Sequence, residues 1–182
     1  MEHFARLVHA LHAAQVRYLV IGVWGANYYA RSGGMVFVTK DVDLFLPLDA
    51  GNLLRAWESS TAAGLSLWVG NEPLDSPRDL QLARAVVERR AGVAAVDTKG
   101  RQIDLTLVMA GFEFEDVWSR RRSFAVEGVE VPVASLADIV QSKARVGRPK
   151  DRLFLATHEE AINQLLHGHD WRSGPDVPGA LP

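Results

Sequence analysis

The chain has 182 residues, 48% of them apolar, no cysteine and a formal net charge of −2 at pH 7. These values allow one domain with a proper core. They exclude disulfides and thiolate chemistry and give no general attraction to duplex DNA. No apolar run reaches the ~18 residues of a membrane span, and no basic segment followed by a long apolar one opens the chain, so a cytoplasmic location without signal peptide is expected.

Residues 2–15 read as a helix, with Phe4, Leu7, Val8 and Leu11 on one stripe. Tyr18-Leu19-Val20-Ile21 is a short buried strand ended by Gly22. Trp24 to Arg31 reads as a second helix, broken by Ser32-Gly33-Gly34. The next strand carries Asp41 and Asp43 and is closed by Pro47. Leu53 to Ala63 fits a helix and Leu65 to Val69 a strand. Asn71 to Pro77 is a loop by its Asn, Asp and Pro content. Leu80 to Arg90 is either a helix or an irregular excursion. Val93–Asp97 and Arg101–Val108 form a hairpin through Thr98-Lys99-Gly100. Residues 113–120 give one or two helical turns. Phe124 to Val133 is a second hairpin, turning at Glu127-Gly128.

Ser135, with Asp138 three residues on, starts a helix in a capping-box arrangement. Gly147 ends it, and Pro149 suits the first turn of a last helix running to about Leu166. The Gly- and Pro-rich stretch that follows is expected to be mobile. The expected organisation is therefore a core over 1–134, a helical segment over 135–167 and a flexible tail over 168–182. The expected class is α+β, a mixed sheet with helices on one side.

The candidate chemistry starts at Lys40-Asp41-Val42-Asp43-Leu44-Phe45-Leu46. Side chains alternate along a strand, so Asp41 and Asp43 point one way, and Val42, Leu44 and Leu46 the other. Two neighbouring carboxylates repel unless a cation or a proton lies between them. Mg2+, a hard cation that takes oxygen ligands, suits the pair, and Mn2+ is the alternative. Asp104 lies inside another apolar strand, where an acid is rarely found without a partner. If the three converge, they have the donors for two Mg2+ ions completed by substrate phosphates, and the chemistry they suit is phosphoryl or nucleotidyl transfer. Asp104 is then the expected base for an acceptor hydroxyl. Against this stands the common case of aspartates that cap strand ends.

Lys143 follows Ile139 and Val140 on one helical stripe. Its stem can run along the core while its ammonium reaches a cleft. Arg148 and Lys150 lie just beyond Gly147. All three are candidates for triphosphate contact, set against the ordinary preference of cations for helix C-termini. Asp151 reads as a cap or pairing residue. Arg120-Arg121-Arg122 reads as a solvated edge, and His167 and His169 have no convincing ligand spacing. Trp24 reads as core or cap.

Four segments, in this order, resemble the nucleotidyltransferase superfamily that includes DNA polymerase beta, and within it the small bacterial minimal, antitoxin-like branch. They are Tyr18-Leu19-Val20-Ile21-Gly22, Thr39-Lys40-Asp41-Val42-Asp43-Leu44-Phe45, Arg101-Gln102-Ile103-Asp104-Leu105-Thr106, and Leu136 through Lys143 to Asp151. The resemblance implies a nucleotidyltransferase-like fold with C-terminal helices. It also implies transfer of a nucleoside monophosphate from a nucleoside triphosphate to an acceptor hydroxyl. Asp41 and Asp43 match the paired metal ligands and Asp104 the third carboxylate. Gly22 matches the first residue of a Gly-Gly or Gly-Ser signature, and Val23 stands where the second glycine or serine belongs. The implied partners are a nucleoside triphosphate and either an RNA acceptor or a toxin protein. The toxin belongs to the alternative reading, a weak or inactive antitoxin or interaction module on the same fold.

Overall fold

The computed structural model describes residues 2–31 and 34–167. The Ser32-Gly33 part of the expected break, His169 and the expected tail lie outside the described residues. The fold is a mixed α/β arrangement with helices packed against an eight-stranded sheet. Strand β1 (Leu19–Ile21) follows helix α1 (Glu2–Ala13), and helix α2 (Gly22–Ala30) leaves it directly. Then come β2 (Val42–Phe45), α3 (Ala50–Ala62), β3 (Ser66–Val69), β4 (Glu72–Pro73) and α4 (Leu80–Glu88). Two hairpins follow, β5 (Val93–Val96) with β6 (Gln102–Thr106), and β7 (Arg122–Val126) with β8 (Val129–Val133). Helix α5 (Phe114–Ser119) joins the hairpins, and α6 (Leu136–Val146), α7 (Pro149–Thr157) and α8 (Glu159–His167) close the described chain.

The strand order is β4-β3-β5-β6-β2-β1-β8-β7. β2 runs antiparallel to β1 and parallel to β6. Leu44 sits opposite Val20 on one side and Leu105 on the other. All three are buried, and each such side chain is worth about 1.5–3 kcal/mol of burial. They lie on one face of the sheet. Across β8 and β7 the same face reaches Phe124, whose ring meets Tyr28 and Tyr29 of α2 at 5.3 and 5.2 Å. The opposite face carries Asp43 and Phe45 on β2 and Asp104 on β6. Phe45 is covered by Phe114 of α5 at 5.4 Å.

Local chemistry sets most boundaries. The Asp49 side chain accepts the Asn52 N–H and starts α3 three residues before the expected Leu53. The Asp79 side chain accepts the Gln81 and Leu82 N–H groups, which settles 80–88 as a helix. Ser135 accepts the Asp138 N–H at 3.1 Å, but the capping box is half made: the Asp138 carboxylate turns to the Arg120 guanidinium at 3.0 Å. Three expectations of the fold need correction. The helices are not confined to one side: α2 meets Phe124 on the Leu44 face, and α5 covers Phe45 on the other. The loop at 71–77 contains β4, paired to β3 through Trp68 and Pro73. The single last helix is two, α7 and α8, separated at His158, whose N–H still bonds Phe154. The His158 ring lies 4.9 Å from Phe37 and 5.1 Å from Phe154 at this break.

Candidate functional site

Parallel pairing of β2 with β6 places Asp43 directly opposite Asp104. Neighbouring strands lie about 4.8 Å apart, so the two carboxylates share one patch of the face. Asp41 stands one residue before β2 and is exposed, rather than inside the strand as expected. It lies close enough to act on Asp43 electrostatically. Burial, then the charges of Asp104 and Asp41, push the Asp43 carboxyl up to about 6; Lys143 and Lys150 pull it partly back. The structure therefore brings the three expected acids into one electrostatic cluster, with Asp43 at its centre.

The segment leading to Asp41 is pinned from α2. Buried Asn27 donates from Nδ2 to the Phe37 carbonyl at 2.8 Å and accepts the Phe37 N–H at 2.6 Å. Phe37 also meets Phe154 of α7 at 5.3 Å. This connection brings α7 to the acids, and Lys150 donates to Asp41 Oδ2 at 3.3 Å. Both side chains are nearly two-thirds exposed, so the pair is a weak, solvent-screened contact.

Gly22 is fixed by the cluster. Its φ is +69°, and a Cβ there would lie 2.5 Å from Asp43 Oδ2. Only glycine supplies both the backbone conformation and the room. Gly25 serves packing instead, because an added Cβ would lie 3.0 Å from both Ile139 Cδ1 and the Val20 carbonyl. Val23 is half-buried and packs against the hydrophobic core. Trp24 meets Phe4 edge-on at 5.8 Å, the core role expected of it.

The basic residues divide. Lys150 points to the acids. Lys143 and Arg148 converge on Asp151, donating to its two oxygens at 2.9 and 2.7 Å. Burial would raise the Asp151 carboxyl, but the hydrogen bonds from Arg148 and Lys143 hold it below the usual range. Asp151 is thus the pairing residue it was expected to be. Lys143 still acts on Asp43 through space.

Two contributors escaped the sequence reading. Gln102 donates from Nε2 to Asp104 Oδ1. The signal was present, since Gln102 and Asp104 share a face two residues apart on β6. Asn27 left no such signal: a polar residue in a short helix says nothing local about the loop it will hold.

Among the described residues, no three acid or imidazole side chains are drawn together tightly enough to cage a metal by themselves. Mg2+ does not demand that. It keeps several waters and is commonly held by one or two carboxylates with phosphates. The hard oxygen donors of Asp43 and Asp104, short of counter-charge, fit that ion in kind. A cavity of roughly 670 Å3 lies elsewhere, beyond the C-terminal ends of β2 and β6; Phe45, Leu48, Phe112 and Arg17 help line it, and none of the three acids does. No family model matches the chain, and no curated protein is significantly similar to it.

Proposed function

We propose that the chain is a metal-dependent nucleotidyltransferase, acting at the face formed by Asp41, Asp43 and Asp104 on a nucleotidyltransferase-like fold. The observation that carries this reading is the register of β2 and β6, which sets Asp43 beside Asp104 with a glycine at the end of β1 shaped around the Asp43 carboxylate. Asp43 and Asp104 would hold Mg2+ or Mn2+, with Asp41 as the third donor. The ion, when bound, supplies charge neutralisation at the triphosphate and lowers the pKa of a coordinated hydroxyl. Gln102 orients Asp104, the candidate base for the acceptor hydroxyl. Gly22 and Val23 begin α2, whose first N–H groups favour phosphate. Lys150 is the cation best placed to meet the triphosphate; Lys143 contributes its field, and Arg148 stays with Asp151.

The test is incubation of the purified protein with each labelled nucleoside triphosphate, Mg2+ and candidate acceptors, RNA and protein. Label transfer that Asp43→Asn abolishes supports the reading. No transfer from any triphosphate to any acceptor, with no triphosphate binding, overturns it.

A second reading has its own support. Val23 replaces a small residue, and two of the three expected phosphate contacts, Lys143 and Arg148, are engaged with Asp151. That combination suits a non-catalytic module that occupies a toxin protein. Such a module would keep its partner affinity in Asp43→Asn.

A further inference from the structure

The two edges of the sheet are built differently. β4 ends one side with two residues, Glu72 and Pro73, a length and composition that discourage strand addition. β7 ends the other side with five residues, Arg122–Val126, with no proline and an unbroken register to β8.

The hairpin determines which main-chain groups of β7 point outward. Glu127 and Gly128 have φ of 48° and 81°, the positive values of a two-residue type I′ turn. The flanking pair Val126–Val129 therefore exchanges hydrogen bonds, and so do Phe124–Val131 and Arg122–Val133 by alternation. Pro132 agrees with this phase: it has no N–H, and it falls at the non-bonded position opposite Ser123. Ser123 and Ala125 thus turn both N–H and C=O away from β8. Among the described residues, no main-chain group outside the ladder bonds them.

We propose that this edge pairs with a second copy of the chain, β7 against β7, antiparallel, with Ser123 of each copy opposite Ala125 of the other. Each of these two pairs exchanges two hydrogen bonds. Phe124 meets its own counterpart at the two-fold axis. The same register brings Arg121 of each copy, which lies just before β7 and holds the Trp118 carbonyl of its own copy at 2.7 Å, near the turn residue Glu127 of the other. This self-complementary charge pattern selects a second copy over an acidic peptide, which would match the arginine and meet the glutamate with like charge. The next symmetric register, Ala125 on Ala125, puts Ser123 across from Glu127 and leaves Arg121 unmatched. β7 is three strands from β2, so the joined sheets leave the acid cluster on each copy.

Sedimentation equilibrium of the full chain, from micromolar to submillimolar concentration, should show a reversible dimer. Ala125→Pro removes an outward N–H and no ladder bond, so the hairpin survives, and circular dichroism checks that it has. Dimerisation should weaken by at least about tenfold, two of the four interchain bonds being lost. Arg121→Glu alone should also weaken the dimer, and Arg121→Glu with Glu127→Arg should restore it. A parent that is monomeric at every concentration overturns the proposal, as does a dimer indifferent to Ala125→Pro. A monomeric parent whose Ser123 and Ala125 amides become protected from exchange by an added Glu-rich peptide would also overturn it and assign the edge to that partner.

Discussion

Asp43→Asn separates the electrostatic account of the cluster from any question of activity. Burial and the charges of Asp104 and Asp41 lift the Asp43 carboxyl from an ordinary value of 3.8 to about 6. One pKa unit is worth about 1.4 kcal/mol, so ionising Asp43 in the folded protein costs roughly 3 kcal/mol, and about 2 after solvent screening of a half-buried group. The sign follows from linkage. A carboxyl raised above its unfolded value favours folding while it is protonated. That contribution is complete below about pH 4 and is lost as the pH rises through about 6. Asparagine carries no such dependence. Denaturation of the metal-free proteins should therefore show a stability gap in favour of Asp43→Asn that opens between about pH 4 and pH 7 and then holds near 2 kcal/mol, about 4–8 °C in Tm for a chain of this size. Saturating Mg2+ should narrow the gap, because the cation gains more from the parent, which keeps all three carboxylates, than from Asp43→Asn, which keeps two. A gap that does not change with pH, or a mutant less stable than its parent at neutral pH, would refute the reasoning.

Gly22→Ala should cost about 1–3 kcal/mol, through a Cβ driven against the Asp43 carboxylate in a left-handed backbone. Part of that cost should be recovered in the double variant with Asp43→Ala, a non-additivity that urea titration of the four proteins measures. Val23→Gly should tighten Mg2+-triphosphate binding by calorimetry if the branched side chain limits the cleft, and it should lower stability by about 1 kcal/mol or more through lost packing and added chain entropy. Unchanged affinity beside robust activity in the parent would show that Val23 already fits. Asp151→Ala strands Lys143, which is mostly buried, and should destabilise by about 3–5 kcal/mol in chemical denaturation. Burial would raise the Asp97 carboxyl, but the Arg101 N–H and guanidinium and the Lys99 N–H hold it down to about 2. Its contribution to stability is present above about pH 4 and disappears as the pH falls toward 2, so Asp97→Asn should unfold at higher pH than the parent in an acid titration.

The alternation of Asp41, Val42, Asp43 and Leu44 made the polar face of β2 legible in the chain. Ile103, Asp104 and Leu105 did the same for β6. What the alternation does not carry is that these strands are neighbours, because parallel pairing joins segments about sixty residues apart and has no local signature. The same alternation extends the strand to Asp41, whereas β2 begins only at Val42. The cations show the other gap. Helical spacing placed Lys143 on a packed stripe, and it is there, but spacing does not say that Asp151 will take both Lys143 and Arg148. Competition among partners is decided by tertiary distance. The helical pattern runs on across His158, whereas the structure ends α7 there, beside a ring contact with Phe37 that is far away in sequence.

The order in which the acid face can assemble follows from the strand sequence. β2 cannot pair with β6 until the intervening α3, β3, β4, α4 and β5 have been made, and Lys150 arrives later still. During synthesis the first two aspartates emerge long before their counterpart, on a strand whose β6-facing edge is open. Pairings of such sequence separation form slowly, since loop closure must precede the contacts that reward it. A chain interrupted anywhere before about residue 100 carries Asp41 and Asp43 on an unfinished sheet, with neither Asp104 nor Lys150 beside them. The three acids therefore come together only once β6 has been made, a little past the middle of the chain, and Lys150 joins them later.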